Sequence, residues 1–575
     1  MTNRSFTNKQ LEDADLQGNL ISHIAKLDRM TLMEDFSTIL VELHNSDKIS
    51  LLSKQNLSAI NNLTHNEFWN LSHTLNKTIS ELNCSHQEII NFVWTLVNKA
   101  GSDLVANAPN TELIDWCKAN PKKALLIVEE AKSLDEISIN HCVFAIQGID
   151  DENLAFDLLQ HPENKIRALG LLSLGRVDIK DIIIVQQVIN ECCTALIKET
   201  DQNIRFSAIN CAFNTWKRYY SIASYRQIEF IEIIILDNHG DELVQLSASL
   251  FHHLYGLIDE SIDLILDAIT GEVSNPLSIL IWLDRAISNK SRNWEFNKIV
   301  KVFSTQLPKL EKTPELSQFH NFCERAWEES ENTGQLFSDW LSSGQFYLCQ
   351  FLVDMVSGGS GRKNHIVNIS QSRLPDDSID QIFLARKCVG FLWLHEVTAA
   401  SILLSIVKNG KKLAREEAEE LLYNPLLLSY SGDLRIYLEE NRGSSSKRIS
   451  TTVEKLLKMH EAYLTGLKSA RNLVEFIPAN EQSHVAALKD YESRKSLQNQ
   501  VHEKSLFAQI GTRQIMLYGN KNLTFIQRSD GSKSSNLIPL SEFSHSMEIP
   551  RLTIVDPVGF NLIITNFKLE KKIAK

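Results

Sequence analysis

The chain has 575 residues, too many for one ordinary core, so several domains or an extended array are expected. Hydrophobic residues at 43% and charged residues at 23% are globular values and exclude wholesale disorder. The net charge of −12 is unevenly shared: residues 441–575 carry 20 Lys and Arg against 12 Asp and Glu, and the preceding ones 39 against 59. The acidic bulk argues against a surface that wraps nucleic acid, while the basic tail leaves that question open locally.

Only 12 Pro and 22 Gly punctuate the chain, which predicts long helices joined by short turns. Apolar runs such as "DIIIVQQVI" and "NPLSILIWL" stop far short of the ~20 residues a bilayer span requires. Met1 to Asn19 is polar and has no apolar core of a signal peptide. Nine scattered cysteines among apolar neighbours predict reduced, buried thiols in a cytoplasmic protein, with no membrane partner.

In chain order, residues 1–110 read as an N-terminal helical region. "TLMEDFSTILVELHN", "NEFWNLSHTLNKTISEL" and "SHQEIINFVWTLVNKAG" have helical spacing and carry Asn or Gly near their ends. "LEDADLQGNL" has the form of one pentapeptide-repeat unit, and a single copy cannot build a β-helix.

Residues 111–290 contain a recurring pattern. "NKIRALGLL" (Asn164–Leu172) returns 38 residues later as "QNIRFSAIN" (Gln202–Asn210), and 40 residues after that as "ELVQLSASL" (Glu242–Leu250). Arg167, Arg205 and Gln245 are each preceded four residues earlier by an acid: Glu163, Asp201 and Asp241. "NPKKALLIVEEA" (Asn120–Ala131) matches "HPENKIRALGLL" 41 residues before it. A period of about 40 residues built from two helices is the signature of an α-solenoid. The acid belongs at the N-terminus of the second helix, where it satisfies exposed N–H groups. Ala168, Gly170, Ala208 and Ala248 let that helix approach its neighbour, and apolar residues at three- and four-residue spacing bury against the stack.

"HPENKIRALGLLSLG" resembles the second helix of a HEAT repeat: an acidic turn, Val/Ile-Arg, a small residue, then Leu-Gly. The resemblance covers residues 111–290, and the third unit departs from it by placing Gln245 where the Arg should be. It implies a curved helical scaffold that binds partners. It also implies that Glu163, Arg167, Asp201, Arg205 and Asp241 are structural, the arginines bonding acidic or carbonyl groups of neighbouring repeats.

Residues 291–440 continue as degenerate helical repeats, with Trp294, Trp327, Trp340 and Trp393 as packing anchors and one interruption at "SGGSGRKN". "NRGSSSKRIS" then opens a linker and long helical hairpin over 441–512. Val453, Leu456, His460, Tyr463, Leu467, Ala470, Val474 and Ile477 follow a heptad seam; Pro478 ends it and Asn480 caps a second helix. Over 513–575, "RQIMLYGNKNLTFIQR" and "RLTIVDPVGFNLIITNF" read as strands around Gly-Asn and Asp-Pro-Val-Gly turns. The expected fold class is therefore mainly α: a HEAT-like α-solenoid, then a long coiled α-hairpin and a small C-terminal antiparallel β-sheet.

Catalytic and metal signatures fail on spacing. Gly361 is followed by Arg362-Lys363-Asn364, whereas a phosphate loop needs Gly-Lys-Ser/Thr opening a helix. The position two after Ser360 is Arg362, which excludes a nucleophile elbow. Ala399 stands where the second zinc histidine of "WLHEV" would fall. Neither His252-His253 nor Cys192-Cys193 can share one ligand face of a helix. No catalytic, cofactor or metal residue is assigned, and no cofactor is expected.

The partner-binding candidates are the basic residues of the tail: Lys447, Arg448, Lys455, Lys458, Lys468, Arg471, Lys489, Arg494, Lys495, Lys504 and Arg513. Their bland reading is a solvated coiled-coil surface. The expected function is a non-enzymatic scaffold that binds other proteins through its solenoid groove and basic C-terminal module. The alternative is a nucleic-acid-associated subunit of a bacterial multi-protein system, such as phage defence, acting through residues 441–575.

Overall fold

The computed structural model describes residues 2–27, 36–101, 107–222, 224–237, 240–289, 294–312, 314–358, 365–470, 473, 479–503, 517–518, 521–527, 533–539 and 548–572. They form two compact units, Met1–Phe322 and Cys323–Lys575.

The first unit opens with α1 (Thr2–Leu16), α2 (Leu20–Ile24), α3 (Phe36–Asn45) and α4 (Lys54–Asn62). Thr64 and Ser85 start α5 (His65–Thr78) and α6 (His86–Ala100) with capping boxes, in which Glu67 and Glu88 accept from the cap backbone N–H. Next come α7 (Asn107–Ala119), α8 (Pro121–Lys132), α9 (Glu136–Ile149), α10 (Glu152–Leu159) and α11 (Asn164–Leu174). The series continues through α12 (Ile182–Lys198), α13 (Gln202–Arg218), α14 (Gln227–Asp237) and α15 (Gly240–His252). It closes with α16 (Asp259–Ala268), α17 (Pro276–Ile287) and α18 (Phe296–Gln306).

From α3 to α17 each odd-numbered helix packs on the next odd one. The even helices pack on one another from α4 to α8 and again from α12 to α18, so the unit has two layers, and each turn hands the chain from one to the other. The later odd helices α11, α13, α15 and α17 begin at residues 164, 202, 240 and 276, intervals of 38, 38 and 36. The match at Asn120–Ala131 is of another kind: it forms α8, in the even layer. Pro121 sits in the first turn of α8, whereas Pro162 lies in the turn before α11. The shared X-Pro pair therefore marks a helix start without marking a layer.

Trp116, Phe213, Trp216 and Phe230 are buried between the layers. The last three meet edge-on, with ring centroids 5.3–6.3 Å apart. Gly170 has no room for a side chain, since a Cβ there would lie 2.8 Å from the Ala155 carbonyl oxygen; α10 and α11 touch through it.

α19 (His320–Glu328) crosses the division between the units. The second unit contains α20 (Ser330–Ser343), α21 (Phe346–Ser357), α22 (Ser378–Leu392), α23 (Glu396–Asn409) and α24 (Lys412–Leu421). A π-helical turn at Leu422–Leu427 leads to α25 (Asp433–Glu440), α26 (Lys447–Ala470) and α27 (Asn480–Glu503). Every residue of α23 from Val397 to Val407 is buried, as suits a helix packed on all sides.

Two expectations are corrected here. The chain is mainly α, but it does not close on a small C-terminal antiparallel β domain over 513–575. "RLTIVDPVGFNLIITNF", read as two strands, folds as α28 (Leu552–Val555) and α29 (Pro557–Leu569). Asp556 caps α29 by accepting from Gly559 N at 3.0 Å, and Pro557 occupies its first turn. The Asp-Pro pair is thus a helix start, and packing on α22 overrides the β-branched run. The strand pairing seen among the described residues is a short ladder upstream: β1 (Leu517–Tyr518), β2 (Lys521–Gln527) and β3 (Lys533–Pro539).

The long coiled hairpin over 441–512 is corrected as well. Val453, Leu456 and His460 are buried, but against α23, α25 and the π-helical turn instead of α27. Residues 482–499 of α27 are exposed throughout. A seam of two or three heptads signals only a stripe to bury, and the body of the unit buries this one. Val474 and Ile477 lie outside the described residues.

α29 lies against α22. Lys387 is fully buried and donates from Nζ to Lys568 O at 2.7 Å. Arg386 bridges Glu417 at 2.7 Å and Glu570 at 3.2 Å, and Trp393 meets Phe560 edge-on. All nine cysteines are buried thiols. Among the described residues no helix is long and apolar enough to cross a membrane.

Candidate functional site

Three consecutive helices of the odd layer, α9, α11 and α13, line a groove of about 880 Å³. Each helix uses one stripe for the interior and a second for the groove. On α13, Ile204, Ala208 and Cys211 are buried between the layers. Asn203, Ser207 and Asn210 recur at four- and three-residue steps and line the groove. Asn140, Val143 and Phe144 face it from α9, and Lys165, Ala168, Leu169 and Leu172 from α11. The Arg176 guanidinium also lines the groove, 5.2 Å from the centre of the Phe144 ring.

The groove sets amides and four charged side chains, Glu163, Lys165, Arg176 and Asp201, over an apolar floor. Asn140 donates from Nδ2 to Glu136 O at 2.8 Å and Asn164 is held between Asp201 and Arg167, whereas Asn203 and Asn210 offer donors and an acceptor. That is the complement of an extended peptide backbone, which presents the same pair of groups at every residue.

A chain of cross-helix bonds fixes the ends of these helices. Asn164 donates from Nδ2 to Asp201 Oδ2 at 3.1 Å, and one step on Gln202 donates from Nε2 to Asp241 Oδ2 at 3.1 Å. Asp201 also caps α13 by accepting from Asn203 N and Ile204 N. The Asn164 amide, with the Ile204 N–H, holds the Asp201 carboxyl below its ordinary value. Asp241 accepts from Ser274 Oγ at 2.9 Å as well. Glu163 precedes α11, makes no side-chain cap bond and lines the groove.

The two arginines of the repeated motif differ. Arg167 donates to Asn164 Oδ1 at 2.7 Å and to Glu199 at 3.1 Å, on a half-buried face. Arg205 is buried: it grips Glu242 through Nε and Nη2, reaches Asp237 at 2.7 Å, and donates from Nη1 to Leu196 O. The Glu242 carboxylate, then Asp237, raise the Arg205 guanidinium above its ordinary value. Gln245, which breaks the motif, donates from Nε2 to Phe206 O at 3.1 Å.

Of the basic candidates, Lys447, Arg448, Lys455, Lys458 and Lys468 are exposed on α26, and Lys489, Arg494 and Lys495 are exposed on α27. Arg471, Lys504 and Arg513 lie outside the described residues. Among the described residues the candidates do not form one patch, because α26 packs on α23, α25 and the π-helical turn while residues 482–499 of α27 are exposed. Lys447 and Arg448 instead line a second cavity, of about 580 Å³, with Lys412 and Arg415 of α24.

The sequence reading expected a partner-binding groove without naming its asparagines, and it missed the cavity with Lys412 and Arg415. The groove had a signal, since Asn203 and Asn210 are seven residues apart on one helix face. Lys412 and Arg415 had none, because what brings α24 beside the start of α26 is the tertiary fold. Among the described residues no three His, Cys, Asp or Glu side chains come together as a metal site. No protein-family model, curated protein or solved structure matches the chain.

Proposed function

We propose that this protein is a non-enzymatic helical-repeat scaffold of the HEAT kind, which holds an extended segment of a partner protein in the groove of α9, α11 and α13. The exposed basic residues of α26 and those of α27 offer two further attachment points. One observation carries the reading: an 880 Å³ groove lined by four asparagines, among the charged Glu163, Lys165, Arg176 and Asp201, over Val143, Phe144, Leu172 and Phe206. Amides bind a peptide main chain without demanding a charged partner, and the apolar floor takes alternate side chains. The regular stacking below makes the groove a fixed template, so little ordering cost falls on the scaffold.

The test is affinity capture from native lysate with the full chain and with an Asn140→Ala, Asn203→Ala, Asn210→Ala variant. These side chains face the groove, so the variant should melt within a few degrees of wild type. A partner should be recovered by the wild type and lost with the variant. Identical recovery by both proteins, or none by either, would count against the reading.

A further inference from the structure

We propose that the cavity of about 580 Å³ between α24 and the first turns of α26 binds a phosphate-bearing small molecule through Lys412, Arg415, Lys447 and Arg448. This inference is independent of the groove and of what the groove binds. Its first support is the gathering of four cations, two from each of two helices, around one cavity. Like charges brought together repel unless an anion lies between them.

Two carboxylates also line the cavity; Glu419 is taken by α26 and Glu416 neighbours Lys412, while Arg448 donates from Nη1 to Lys408 O at 2.9 Å with its other N–H groups left for a ligand. Glu419 accepts from Lys455 Nζ and, at 3.1 Å, from Thr452 Oγ1. Glu416 lies 3.9 Å from Lys412. Arg415 and Lys447 have no carboxylate partner among the described residues. Arg415 Nε is moreover buried with no hydrogen-bond acceptor among the described residues. A buried guanidinium N–H left unmet loses its water without compensation, and an anionic oxygen in the cavity would restore the bond.

The sequence of α26 supports the same ligand. Its first turn contains no acid and begins Lys447-Arg448. Helices ordinarily place acids there, because the unpaired N–H groups already make that end positive. Cations at this position oppose the helix and are balanced by a bound anion. Phosphate suits the set better than a carboxylate: it spreads up to two charges over three oxygens and takes paired N–H bonds from a guanidinium. The volume lies in the range of small-molecule sites. Two of the four cations around the cavity come from α24 and lie off the basic face of α26, which favours a compact ligand over a nucleic-acid backbone.

The test uses the full chain and inorganic pyrophosphate, followed by isothermal titration calorimetry. One equivalent should bind, and Arg415→Gln and Lys447→Gln should each weaken binding by about tenfold. Lys489→Gln on α27, with the same change in charge, should have no effect. Lys447 is exposed, so its variant folds and stays informative even if the Arg415 variant does not. No pyrophosphate binding, or equal weakening by Lys489→Gln, would overturn the proposal. So would a single-stranded oligonucleotide that displaces pyrophosphate and is itself weakened by Lys447→Gln, since the source of the phosphate would then be nucleic acid.

Discussion

Arg205 and Arg167 occupy the same place in the repeated motif, yet one is buried with Glu242 and the other half-exposed with Glu199. Arg205 keeps Asp237 if Glu242 is removed, but Glu242 is buried with Arg205 as its ion-pair partner, so Arg205→Ala strands that carboxylate and should lower stability by about 3–5 kcal/mol in urea unfolding. Arg167→Ala should cost about 1 kcal/mol or less, because solvent screens that pair. The Ile-Arg motif was legible in the sequence as a structural device. Its depth was not, since it depends on Glu242 and Asp237 being delivered by the next helix pair. A second expectation concerns acid. Burial, with help from Lys217 and His252, pushes His253 down from 6.5 to about 4. The unfolded chain therefore takes up a proton that the folded one refuses. This contribution to stability is complete above pH 6.5 and is lost as the pH falls toward about 4. Thermal melts across that window should show the loss, and His253→Gln should make the slope shallower.

Among the elements, α29 shows how a helix can be hidden behind strand-like composition. Its residues Ile563, Ile564 and Thr565 favour strands when read alone, and the turn reading of Asp-Pro made two strands of the segment. Phe560 and Ile564, one helical turn apart, are buried. What the local pattern lacked was α22, nearly two hundred residues away, with Gly390 leaving space for the approach. A Cβ on Gly390 would lie 3.0 Å from both Phe567 Cβ and Lys568 N. Gly390→Leu should accordingly lift α29 from its seat, read as faster amide exchange across residues 557–569 with α13 unaffected. Asp556→Ala, which removes only the cap, should destabilise by about 1 kcal/mol.

At the scale of the whole molecule, legibility followed the reach of the contacts. In the first unit the packing partners of a helix are its near neighbours in the chain, and the same arrangement recurs. A recurring environment selects recurring residues, which is why the period stood out between Asn164 and Leu250. The second unit is built on remote pairings: Arg386 with Glu570, Lys387 with Lys568, and the Gly432 amide with Glu548. None of these leaves a periodic trace. The seam of α26 was visible for the same reason as the repeats, but it named the stripe without naming its cover.

The docking of α29 has a consequence for how the molecule is made. A ribosome releases the chain from its N-terminus, so the stacked pairs of the first unit can close one after another as they emerge. The face of α22 that awaits Phe560 and Ile564 has no such option. It stays bare until residue 570 has left the exit tunnel, and for that interval an apolar face is open to contacts other than its own.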